Sequence, residues 1–117
     1  MTDRCLNKLA LAVHEWAKSK PEIERLWFFG SRVKGKHTPT SDLDIAIELT
    51  PEAIATDLHH NGRVVWLTFG EIWGGELDRL TDLDVDQHEY HAGAPYVVAG
   101  VAEASYLIFQ RGGGMPC

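Results

Sequence analysis

Two aspartates, Asp42 and Asp44, stand one residue apart in the run Ser41-Asp42-Leu43-Asp44-Ile45-Ala46-Ile47. On a strand, alternate residues leave the same face, so both carboxylates would project together. Oxygen donors paired in this way can share one or two magnesium ions, which also grip triphosphate oxygens. Upstream, Phe28-Phe29-Gly30-Ser31-Arg32 closes an apolar run on Gly-Ser, with ten residues between Ser31 and Asp42. Glycine lets phosphate oxygens come close to backbone N–H groups, and the serine hydroxyl can add a hydrogen bond. Arg32, Lys34 and Lys36 lie in the intervening stretch, where they could neutralise phosphate charge. Taken singly, each piece has an ordinary structural reading: a solvated strand face, a turn, a soluble surface. It is their conjunction that points to chemistry.

The elements that must position these residues are legible in the apolar periodicity. Leu6, Leu9, Ala10, Val13, Trp16 and Ala17 form one stripe of a helix, and Pro21 closes that region. Ile23 to Phe29, ending in Leu26-Trp27-Phe28-Phe29, reads as a buried strand. Leu43 to Leu49 reads as a second, with Leu43, Ile45, Ile47 and Leu49 on one face and Asp42, Asp44, Ala46 and Glu48 on the other. Thr50-Pro51 is a helix entry, a capping hydroxyl followed by proline at the first helical position. Asn61-Gly62 interrupts that segment. The helical pattern returns from Val64 to Leu80, weakened at Gly74-Gly75. A third strand is expected near Leu83 to Tyr90. A last helix is expected from about Pro95 to Ser105, running into the apolar Tyr106-Leu107-Ile108-Phe109. The tail, residues 111–117, has a disordered composition. The expected order is therefore α, β, β, α, β, α. This is an α/β (α+β) domain over residues 1–110, a small mixed sheet flanked by helices.

The bulk numbers fit one domain. At 117 residues the chain can bury a single core without metal or disulfide staples. A formal charge of −6 argues against a general nucleic-acid coat, without excluding a local basic pocket. Cys5 and Cys117 lie at opposite ends, where free thiols in a reducing cytoplasm are the simple reading. The start carries no apolar signal core, and no run reaches the ~18 apolar residues of a membrane span.

Other patterns fail on inspection. Gly30 to Lys36 satisfies the opening of a P-loop, but His37 stands where Ser or Thr must ligate magnesium. Asp82-x-Asp84-x-Asp86 imitates a calcium loop, yet Gln87 holds the glycine position and Gly93 the bidentate glutamate position. His59-His60 and His88-x-x-His91 lack cysteine partners for zinc and read as surface or loop histidines. Trp16, Trp66 and Trp73 read as helix packing.

The Gly30-Ser31, ten-residue, Asp42-Leu43-Asp44 arrangement resembles the signature of the minimal nucleotidyltransferases in the DNA polymerase β superfamily. The flanking Trp27 to Lys36 and Ser41 to Ile47 also read like family sequence, and the similarity extends to about Gln110. The resemblance implies a third carboxylate on a later strand. Asp82, Asp84 and Asp86 are the candidates, alternate positions that share a face if the segment is one strand. Asp86 is favoured because the family motif reads as a β-branched residue followed by Asp, as in Val85-Asp86; Asp84 is the fallback. The implied reaction is magnesium-dependent transfer of a nucleoside monophosphate, AMP from ATP by family default, to a hydroxyl acceptor. Asp42, Asp44 and Asp86 would be the metal and catalytic residues, and Gly30, Ser31, Arg32 and Lys36 would bind the nucleotide.

Larger relatives carry a helical domain for the acceptor. The resemblance here implies a small helical HEPN-type partner, and in some such pairs a tyrosine of a toxin accepts AMP. Other pairs act on a small molecule, and a non-catalytic scaffold is the reading from a different class. Exposed apolar helix faces on so small a domain favour a partner or self-association.

Overall fold

In the computed structural model, residues 4–35, 42–56 and 63–112 are described, with side chains from residue 8 onward. Lys36, His59-His60, the Asn61-Gly62 break, the Cys5 and Cys117 thiols and the tail beyond Gly112 lie outside them. The elements are α1 (Arg4–Lys18), β1 (Ile23–Phe29), α2 (Ser31–Lys34), β2 (Leu43–Leu49), α3 (Pro51–Ala55), α4 (Arg63–Thr81), β3 (Val85–Glu89), α5 (Pro95–Glu103) and β4 (Ser105–Gln110). The strands form one mixed sheet in the order β3-β2-β1-β4. β1 pairs antiparallel with both β2 and β4, whereas β2 and β3 run parallel.

Helices cover the two faces unequally. The side chains of Leu26, Phe28, Leu43, Ile45 and Ile47 are fully buried on one face, together with Val13 of α1 and Trp73 and Leu77 of α4. Trp73 is the hub of this layer. Phe69 stacks on it at 5.4 Å, and Trp16 and Trp66 meet it edge-on. The helical tryptophans therefore serve packing. The opposite face carries a smaller cluster of Trp27, Phe29, Ala46, Ala94 and Val97, covered by α5.

Local chemistry sets the boundaries. The Thr50 hydroxyl accepts from the Ala53 N–H at 3.0 Å and Pro51 follows, so α3 starts at its cap. α4 passes through its glycines unbroken because Gly70 and Gly74, one turn apart, face Gln87 of β3. A Cβ on Gly74 would lie 3.2 Å from the Gln87 amide nitrogen, which itself donates to the Gly70 carbonyl. The glycines thus trade helix propensity for close approach to the sheet.

Two expectations are corrected. The apolar Tyr106 to Phe109 does not extend the last helix. α5 ends at Glu103, Ala104 is extended, and residues 105–110 form β4 on the free edge of β1. Aromatic and β-branched side chains favour a pleated, half-buried edge, and pairing supplies hydrogen bonds that a continued helix would forgo. β4 is then tied down from both sides: the His14 imidazole of α1 bonds the Ile108 carbonyl at 2.8 Å, and Arg111, just past β4, donates to the carbonyls of Lys20 and of Ile23 at the start of β1. The third strand is also shorter than expected, so Asp82 and Asp84 fall before it. Asp82 adopts a positive φ of 56° just past α4, and the Asp84 carbonyl accepts from the Leu43 N–H.

Because Trp73 is 1% exposed and central, Trp73→Ala should cost about 3–5 kcal/mol of unfolding free energy in urea titration. Leu11→Ala, at 60% exposure, should change it by less than about 0.5 kcal/mol.

Candidate active site

The acidic site is built on the parallel pair β2–β3. Asp44 is in register with Asp86, so two carboxylates leave the same face of adjacent strands. His88, two residues on from Asp86, leaves that face as well. Its Nε2 lies 3.2 Å from Asp86 Oδ2 and 3.6 Å from Asp44 Oδ1. Ligand atoms of these three residues lie within 4.8 Å of one another. Two carboxylate oxygens with one imidazole nitrogen fit a divalent cation that keeps part of its water shell.

The Gly30-Ser31 turn reaches the same spot from β1. Phe29 pairs with Asp44, and Gly30 follows at φ 83°. A Cβ placed on Gly30 would fall 2.1 Å from Asp44 Oδ2. Glycine is therefore required twice, by its left-handed backbone and by the carboxylate pressed against it. Ser31 opens the single-turn α2, which carries Arg32 and Lys34. The Lys34 ammonium is ion-paired with Glu103 at the far end of α5.

Asp42 is not gathered into the cluster. It precedes the first residue of β2, is exposed, and acts on Asp44 only as a nearby like charge. Asp84 and Asp82, outside β3, do not join either. The residue that sequence reasoning passed over is His88, set down there as a surface or loop histidine. The missed signal was its place two residues beyond Asp86 on one strand.

Burial pushes the Asp44 carboxyl above its ordinary value, and the Asp86 charge adds to that rise; His88 opposes it. The folded site thus disfavours the charged form of Asp44. The buried Glu89, at the other end of β3, is also pushed up by desolvation, against the pull of His91 and Arg63; Arg63 lies 2.8 Å away. A cavity of about 680 Å³ opens at that end, walled by Arg25, Glu48, Ile54, Glu89 and Tyr90 among others, and none of the three clustered residues lines it. The acidic cluster and this cavity are at opposite ends of the β2–β3 pair. We place the active site by its donors, because the wall of the void is occupied by the Arg25–Glu48 and Arg63–Glu89 pairs.

Residues 12–112 match the family described as polymerase beta, nucleotidyltransferase. The chain belongs to that nucleotidyltransferase family. Among solved structures it is similar to a toxin–antitoxin complex with AMP-PNP, at a TM-score of 0.55 and 16% identity, covering 96% of this chain and 76% of that one. It is also similar to a mutant of the toxin–antitoxin pair MntA–HpeT, at a TM-score of 0.56 and 15% identity, covering 91% and 73%. At such identities the likeness is one of fold. No curated protein matches the sequence.

Two outcomes test this geometry. Asp44→Asn should raise the melting temperature of metal-free protein at neutral pH, because it removes a charge the folded state disfavours. A carboxyl whose folded pKa is raised contributes stability at low pH and loses it as pH rises through the folded pKa. The gap between variant and wild type should therefore narrow on acidification. Gly30→Ala should destabilise by more than about 1 kcal/mol, and part of that cost should vanish in an Asp44→Ala background, read by a double-mutant cycle.

Proposed function

We propose that the chain transfers AMP from ATP to a hydroxyl acceptor, and that the acceptor is a tyrosine of a HEPN-type toxin which the transfer silences. The observation that carries the catalytic part is Asp44 held in register with Asp86 beside the Gly30-Ser31 turn. Membership of the nucleotidyltransferase family supports the reaction class. The toxin–antitoxin setting of both similar structures, one of them with AMP-PNP, supports the acceptor.

In this reading Gly30 and Ser31 receive the β- and γ-phosphates, with Arg32 and Lys36 supplying positive charge. Asp44 and Asp86 would hold a divalent cation, magnesium by preference, and Asp42 would add its charge from outside the cluster. A cation bound there would offset the two carboxylates and polarise phosphate oxygens. The acceptor oxygen attacks the α-phosphorus, the bond to the β-phosphate oxygen breaks, and pyrophosphate leaves. Asp86, with 53% of its side chain exposed against 24% for Asp44, takes the acceptor proton. His88 holds both carboxylates toward the site.

The test is transfer of label from ATP to the helical partner in the presence of magnesium. Label at the α-phosphorus should appear on the partner and label at the γ-phosphorus should not. Asp44→Asn and Asp86→Asn should each lower transfer by at least about a hundredfold while the complex still forms. A stable complex with no transfer would turn the reading toward a small-molecule acceptor or a scaffold.

A further inference from the structure

We propose that Tyr96 is the platform on which the nucleobase of the bound triphosphate stacks, an inference that rests on the nucleotidyltransferase reading of the site. The donors gathered at Asp44, Asp86, His88 and the Gly30-Ser31 turn serve phosphate and cation charge. A nucleoside triphosphate also carries a flat base, which needs a surface of its own.

Tyr96 lies in the first turn of α5. Its ring centroid is 6.2 Å from that of His88, at an interplanar angle of 84°. His88 in turn meets Phe29 at 5.4 Å, so three rings step outward from the core past the acidic pair. Exposure rises along the row: Phe29 is 8% exposed and Tyr96 is 70% exposed. Of the exposed large side chains among the described residues, Tyr96 is the one whose ring meets His88 beside the acidic pair. Its steep angle to His88 leaves ring surface free for a planar ligand.

The ring also stands on a fixed support. Val97, the next residue, is fully buried. Further along α5, Gly100 is so close to Phe29 that a Cβ would lie 3.0 Å from its ring. Glu103 then ties the helix end to Lys34 of α2, the element that follows the Gly30-Ser31 turn. α5 thereby links the proposed phosphate side to the ring, and Tyr96 keeps its distance from both without a mobile loop. Stacking tolerates any base and favours larger ones, so purine triphosphates should benefit most.

Calorimetric titration with ATP and, separately, with inorganic tripolyphosphate, both with magnesium, tests this. Tyr96→Ala should weaken ATP binding roughly tenfold and leave tripolyphosphate within about twofold of wild type. Tyr96→Phe, which keeps the ring and loses the hydroxyl, should bind ATP like wild type. An unchanged ATP affinity in Tyr96→Ala, or an equal loss for both ligands, overturns the stacking role. If the wild-type protein binds neither ligand, the nucleotidyltransferase reading itself fails and this inference falls with it.

Discussion

Asp44 faces Asp86 across the parallel β2–β3 pair, and like charges directly opposite one another in a sheet repel. Much of the architecture can be read as what it takes to keep them there. A parallel neighbour cannot be reached by a tight turn, so the chain between β2 and β3 must cross over, and α4 forms much of that crossing. α4 buries Trp73 and Leu77 against the sheet and fixes β3 through Gln87. The apolar layer beneath the sheet therefore stabilises a strand pairing that its own charged face opposes.

The two faces of the sheet divide this labour. One is covered by α1 and α4 and closed at the free edge by β4, with His14 and Arg111 fastening the join. Among the described residues the other is covered mainly by α5, with Asp44, Asp86 and His88 within reach of solvent. A site for a large anionic ligand requires an open face, and an open face on so small a domain requires that the covered one be densely packed. The aromatic cluster around Trp73 answers that requirement.

The sequence carried more of the scaffold than of the site. The limits of β1 and β2 follow from short apolar runs bounded by glycine, proline and acidic residues. The start of α3 follows from one threonine and one proline, because capping is local chemistry. β4 was not legible: Tyr106 to Phe109 is apolar throughout, and only the open edge of β1 decides that it pairs. The same limit applies to the charged residues. Asp42 and Asp44 are related by simple alternation, yet strand pairing begins at Leu43 and leaves Asp42 outside. His88 joins only because β3 lies in register with β2, a relation between strands separated by more than thirty residues of chain.

That separation sets the two strand pairings apart in chain entropy. β1 and β2 are linked by a short excursion, and their antiparallel pairing closes a small loop at low entropic cost. β3 pairs with β2 across a much longer stretch of chain, so that contact closes a larger loop at greater entropic cost. β3 is one of the sheet's two edge strands, and it carries Asp86 and His88 on its open face. A ligand that bridges Asp44 and Asp86 would bind only the chain in which the two strands are paired, and so would stabilise it against their separation. Occupancy of this site would thus count toward the stability of the folded chain itself.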